Sequence, residues 1–110
     1  MRMWMVPVNK MCNKHLLGEH VEIHMFVGSI KKNISIEGYI KNDLLEPKSI
    51  YTRHNAIAKE MEKRGFHHKS PLPKVSLHAK TIKPHINYKI NIKKSYSDLL
   101  MRCANCRKLK

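Results

Sequence analysis

Aromatic side chains are scarce in this sequence: they make up 6% of its 110 residues, and Trp4 is the single tryptophan. A base-stacking platform of the kind that grips single-stranded nucleic acid is therefore poorly supplied. Acidic residues are also few, eight against 22 Lys and Arg. No stretch approaches the roughly 18 consecutive apolar residues of a membrane-spanning helix, and the N-terminus lacks the apolar core and small-residue cleavage site of a secretory signal. A soluble, intracellular protein with no membrane partner is expected, cytoplasmic in its own cell or, for a viral protein, in its host. Cysteines number three, an odd count that argues against a disulfide framework and for metal ligation or free thiols. A chain of 110 residues can withdraw roughly 65% of its unfolded surface from water, enough for one modest core. Residues 1–110 are therefore read as one domain, and large cofactor-binding enzymes are excluded.

What the sequence has in abundance is positive charge, a formal net of +14, together with 42% apolar residues. That apolar share is too high for a basic disordered tail, so the chain should fold, and its charge should seek a polyanion. With little to stack on single strands, duplex DNA is the expected partner.

There is no internal repeat. Met1 to Met11 reads as a short extended arm containing Pro7, and Asn13 as the N-cap of a helix. From Lys14 to about Lys32, Leu16, Ile23, Val27 and Ile30, helped by His20, recur at helical spacing, with His15, Glu19 and Glu22 on a neighbouring face. Gly18 inside this helix costs about 1 kcal/mol relative to Ala, which suggests that something packs or binds closely there. Asn33 to Lys41 fits a small hairpin or a loop. Pro47 suits the first position of a second helix whose apolar line Ile50, Ile57 and Met61, with Ala58 beside it, runs to Gly65 as a C-cap. Arg53, Lys59, Lys63 and Arg64 would make its exterior basic. Ser70 to Pro84, with three prolines, reads as a loop or crossover. Ile86, Tyr88, Ile90 and Ile92 alternate like a strand, and Ser95 or Ser97 would cap a last short helix reaching Arg102.

Eight histidines are more than a bland domain needs. His20 and His24 stand at i and i+4, where two imidazoles can meet one metal, but the glutamate that follows the first histidine in metalloproteases is replaced by Val21. They read as helix-face histidines that make hydrogen bonds or approach phosphate, and His67 and His68, beside Lys69, as solvated basic surface. Cys103-Ala104-Asn105-Cys106 has the two-residue gap that lets two thiolates reach one tetrahedral zinc, and Cys12-Asn13-Lys14-His15 repeats it. Together they would form a Cys3His site clipping the C-terminal segment to the arm; the alternative is two reduced thiols in a tail. Glu22 shares a helix face with His15. An acid on a phosphate-gripping face repels the ligand and must offset that cost; the plainer reading is an ordinary salt bridge to one of the many lysines.

The segment His15-Leu16-Leu17-Gly18-Glu19-His20-Val21-Glu22-Ile23, continuing to Phe26, Val27 and Gly28, resembles the first helix of the phage pyrimidine-dimer DNA glycosylases of the endonuclease V type. Arg2 beside the free amine and the helix ending Ala58-Lys59-Glu60-Met61-Glu62-Lys63-Arg64-Gly65-Phe66 extend the likeness over about the first two-thirds of the chain. The resemblance implies a compact, mainly helical (all-α) monomer, here with an extended N-terminal arm and an irregular C-terminal third. It also implies a mechanism in which the N-terminal α-amine attacks the sugar C1′ of a damaged nucleotide, expels the base, and forms a Schiff base that breaks the backbone by β-elimination. Glu22 would hold the charged sugar and move its protons, while Arg2 and His15 would contact phosphate and sugar.

Elementary chemistry favours such a nucleophile, since α-amines have pKa values near 7.7–8.0 against about 10.4 for lysine, so that on the order of 10% is neutral at pH 7. Arg2 is too large for removal of the initiator methionine, which makes Met1 the expected bearer of the amine. Val21 and Met25 stand where the family is expected to carry phosphate-binding arginines. Lys14, Arg53, His54 or His24 would have to replace those cations, and Lys63 joins them as a DNA contact. No cofactor is required for this chemistry, Cys12, Cys103 and Cys106 would hold a structural zinc, and His15 cannot serve phosphate if it serves the metal. The competing reading is a non-catalytic, zinc-clipped basic DNA-binding protein on the same helical scaffold.

Overall fold

In the computed structural model, which describes residues 1–68, 71–73 and 79–109, the first helix spans Asn13–Lys31 (α1). Leu16, His20, Ile23, Val27 and Ile30 form its buried stripe as the spacing predicts, and Glu19 and Phe26 join them. The N-cap is Cys12 instead of Asn13, and no side chain caps the helix. After a short helix Glu37–Lys41 (α2), Pro47 opens a 3-10 turn over Pro47–Ser49 that leads into Ile50–Lys63 (α3). The stretch expected as hairpin or loop thus contains α2 and is not a hairpin. A last pair, Ile92–Arg102 (α4) and Ala104–Arg107 (α5), completes a mainly helical fold with no β-strand among the described residues.

Three helices end in the same way. Asn33, Asp43 and Gly65 take positive φ, and the next residue donates back into the last turn: Ile34 N–H to Ser29 O, Leu44 N–H to Tyr39 O, and Phe66 N–H to Met61 O. This reversal satisfies carbonyls that the helix leaves orphaned. The C-cap of α3 is Arg64, and Gly65, read as that cap, follows it at φ +91°, the left-handed position that ends the helix.

α1 packs against α3, and their seam carries Ile23, Ile57 and Met61 along with polar groups that sequence reasoning placed outside. The N-terminal arm is part of the core, since Met3, Val6 and Met11 are wholly buried and Met3 N–H donates to Leu44 O at 2.7 Å. Its only regular piece is a 3-10 turn over Val8–Lys10.

The strand-like alternation after Ile86 shows in burial, Ile90 inside and Lys89 outside, yet the segment pairs with no strand. Two carboxylates take the donors that a neighbouring strand would have taken. Glu46, itself buried, accepts from Ile90 N–H at 2.8 Å, and Asp43 accepts from Asn91 N–H at 3.2 Å and from the Tyr88 hydroxyl. Asn91 then caps α4, its side chain accepting from Lys94 N–H at 3.1 Å, so neither Ser95 nor Ser97 is the cap. Of the Ser70 to Pro84 stretch, 70 and 74–78 lie outside the described residues, as does Lys69; its described end forms a 3-10 turn, Lys83–His85.

Candidate active site

A cavity of about 500 Å³ opens where the arm crosses the first half of α1. Met1, Arg2 and Trp4 line it from the arm, and Lys14, His15, Gly18, Glu19 and Glu22 from α1. Its volume falls within the roughly 300–1,000 Å³ of small-ligand sites, enough for one nucleoside. The Met1 amine lies 3.8 Å from Glu22 Oε1, and the two groups are partly exposed at 16% and 30%. An amine and a carboxylate therefore share one solvent-reachable space. Gly18 belongs to its wall, and a Cβ there would meet no protein atom within 4 Å. The expectation that something packs against Gly18 resolves as open space, not as a neighbouring side chain.

Arg2 is held from three sides. Its guanidinium lies over the Trp4 ring at 3.7 Å from the centroid, Nη2 donates to Ser95 Oγ at 3.2 Å, and Nη1 is 4.0 Å from Asp98 Oδ2. Ser95 is fixed in turn, donating to Trp4 O at 2.5 Å. Burial lowers the Arg2 pKa from its ordinary value and Asp98 opposes that, but a guanidinium stays charged throughout. Its Nε is buried with no hydrogen-bond partner, so a donor remains to be used. Trp4, which sequence reasoning weighed only as a stacking surface, serves here to orient a cation. Arg102, at the end of α4, also lines the cavity. Nothing but its charge marks it in the sequence, because the contact joins residues distant along the chain.

The Cys/His cluster forms as its spacing predicts. Cys12, His15, Cys103 and Cys106 bring one ligand atom each to within 4.8 Å of one another. A tetrahedral zinc with bonds of about 2.3 Å to sulfur and 2.0–2.1 Å to nitrogen sets its sulfurs about 3.8 Å apart and a sulfur about 3.5 Å from a nitrogen. Cys12 Sγ and Cys103 Sγ are 3.8 Å apart, and His15 Nδ1 lies 3.3 Å from Cys12 Sγ and 3.7 Å from Cys106 Sγ. The four residues are thus positioned to coordinate a metal ion, and three thiols with one imidazole suit zinc. Burial pushes the Cys106 thiol up to about 12, a penalty on the thiolate that a bound cation reverses. Burial, and after it the Lys14 charge, push His15 below its ordinary value, which favours the neutral ligating imidazole.

Other expected DNA contacts divide. Lys14 and Lys63 are exposed, as a phosphate contact requires. Arg53 is not on the basic exterior: it is 7% exposed, its Nε and Nη2 donating to the fully buried Glu19 carboxylate at 2.6 and 2.9 Å. His54 is also buried, at 4%, among the rings of His20, His24 and His68. Neither can reach a phosphate from there, because the α1–α3 seam encloses both. His68, read as solvated surface, is half-buried against the rings of His20 and His54. Val21 and Met25, one turn apart on α1, are about half exposed at 55% and 51%.

A family model described as Pyrimidine dimer DNA glycosylase matches residues 1–74. No curated protein and no solved structure matches the chain. The matched stretch holds Met1, Arg2, His15 and Glu22, whereas Ser95, Asp98, Arg102 and two of the three cysteines come from beyond it.

Proposed function

This chain belongs to the pyrimidine dimer DNA glycosylase family, and from that premise we propose that it is a DNA glycosylase with abasic-site lyase activity on pyrimidine dimers or related lesions in duplex DNA. The observation that carries the reading is the Met1 amine 3.8 Å from Glu22 in a nucleoside-sized cavity. The neutral amine attacks C1′ of an extruded nucleotide. The glycosidic bond breaks, and its electron pair leaves with the base, which picks up a proton. Ring opening then gives an imine between Met1 and C1′. Glu22 takes the proton that the amine must lose, gives it to O4′ as the ring opens to the iminium, and, ionised again, removes one from C2′, so that the C3′–O bond breaks and its electrons leave on the phosphate. The carboxylate also opposes the positive charge of the oxocarbenium-like sugar and of the iminium, where a preorganised group costs no reorganisation. Extruding the nucleotide costs least at a damaged pair, which supplies part of the selectivity.

Arg2, oriented by Trp4, Ser95 and Asp98, and Arg102 and Lys14 on the rim provide the phosphate clamp. The two uses of His15 do not exclude each other in this geometry. Nδ1 faces the thiols, and a ligand histidine still has its Nε2–H to donate elsewhere, here to the nucleotide backbone. Zinc at the Cys3His cluster would fix the start of α1 and the arm against residues 103–106, and it takes no part in the chemical steps.

Glu22→Gln tests the reading. The substitution preserves size and removes the base, so cleavage of abasic duplex should fall by roughly 10²–10⁴-fold. Binding to the same duplex should hold or tighten as a repulsive charge disappears. Full cleavage by this variant would make Glu22 a surface acid and refute its assigned role.

A further inference from the structure

Four imidazoles gather at the seam between α1 and α3. His20 and His24 come from successive turns of α1, His54 from α3, and His68 from the segment after Gly65. Ring centroids lie 4.8 Å apart for His20 and His24, 4.8 Å for His20 and His68, and 5.0 Å for His54 and His68. The Nε2 atoms of His20 and His24 are buried without a hydrogen-bond partner, and those of His54 and His68 face each other at 3.3 Å. One ring nitrogen from each residue lies within 4.8 Å of the other three. A helix seam could have been closed with leucines, and unmatched imidazole nitrogens are a costly filling for it.

We propose that His20, His24, His54 and His68 form a second metal site, a closed tetra-imidazole centre for a divalent cation of the zinc class. With metal–nitrogen bonds of about 2.0–2.1 Å, a tetrahedral centre needs nitrogens about 3.3–3.4 Å apart. His54 and His68 already stand at that separation, and the remaining pairs reach it by closing about 1.5 Å or less, a side-chain adjustment. The ion would satisfy the two orphaned nitrogens and join α1, α3 and the chain beyond Gly65. Four protein ligands leave no position for water, so the site is structural. Imidazole ligands also suit copper and nickel, and metal availability would decide among these ions. Neither Met1 nor Glu22 belongs to the site, so its test and that of the glycosylase reading fail independently.

The test is metal analysis and zinc X-ray absorption on the full chain, stripped of metal, reloaded with zinc chloride and desalted. Both sites filled gives two zinc ions per chain and an average first shell of three sulfurs to five nitrogens, against three to one for the Cys3His site alone. Cys103→Ser with Cys106→Ser should leave one ion with an all-nitrogen shell, and His24→Gln with His68→Gln should leave one with the sulfur-rich shell. The wild-type spectrum decides even where a variant fails to fold. One zinc ion per chain with three sulfurs to each nitrogen, or none at all, overturns the proposal.

Discussion

Replacing Arg53 with alanine should cost the protein a large part of its stability while leaving its affinity for DNA almost unchanged. Arg53 and Glu19 form a two-point ion pair in the α1–α3 seam, with exposures of 7% and 0%. Arg53 Nη2 also lies 3.2 Å from Met11 Sδ, so its head group is enclosed on a further side. Removing it strands a carboxylate that water cannot reach, and breaking a buried pair by deleting one partner costs about 3–5 kcal/mol. Against a total of roughly 5–15 kcal/mol for a domain, that is about a fifth or more. At about 4 °C per kcal/mol, the midpoint should fall by roughly 12–20 °C. Urea unfolding followed by fluorescence is direct, because the one tryptophan, Trp4, is buried in the native state. Arg53→Met combined with Glu19→Leu removes both charges at similar volume and should recover most of the loss. A shift below about 1 kcal/mol, accompanied by weakened DNA binding, would refute the reasoning and return Arg53 to the phosphate face.

Gly18→Ala should stabilise the folded state by about 0.8–1 kcal/mol through helix propensity, since its Cβ meets nothing, yet slow cleavage because the methyl occupies the nucleotide cavity; a variant that is both more stable and equally active would remove Gly18 from the wall. Lys14→Ala and Lys63→Ala should each reduce the slope of log K against log salt by about 0.9, the share of one phosphate contact, and weaken binding alike on damaged and undamaged duplex. An unchanged slope would place either lysine off the interface.

Much of this was legible in the sequence wherever local chemistry alone decided it. The helical stripe from Leu16 to Ile30, the turn at Gly65 and the approach of Cys103 and Cys106 to Cys12 and His15 follow from periodicity, positive φ and ligand spacing. What periodicity cannot reveal is where a polar residue finds a distant partner. Arg53 and Glu19 look like surface charges until the helices pack and each becomes the other's solvent. The strand-like run after Ile86 carries the right alternation, but Asp43 and Glu46 satisfy its donors, so no second strand is needed. His54 and His68 sit among other basic residues in the sequence, and only the fold brings them to His20 and His24. The candidate cleft was visible through one helix-one carboxylate and the residues beside the amine. Its support from Ser95, Asp98 and Arg102 was not, because those contacts span most of the chain.

The central claim is that the nucleophile is set by position, as the amine of Met1, and not by a side chain. Borohydride reduction of the protein mixed with an abasic duplex, comparing a free with an acetylated N-terminus, tests it most directly. The free protein should be trapped as a covalent adduct whose mass and fragmentation place the DNA on Met1. Acetylation deletes the amine, and one added residue moves it by about 3.5 Å, away from attack geometry beside Glu22; both should abolish trapping while DNA binding persists. An adduct of undiminished yield from the acetylated protein would assign the attack to a lysine and contradict the account.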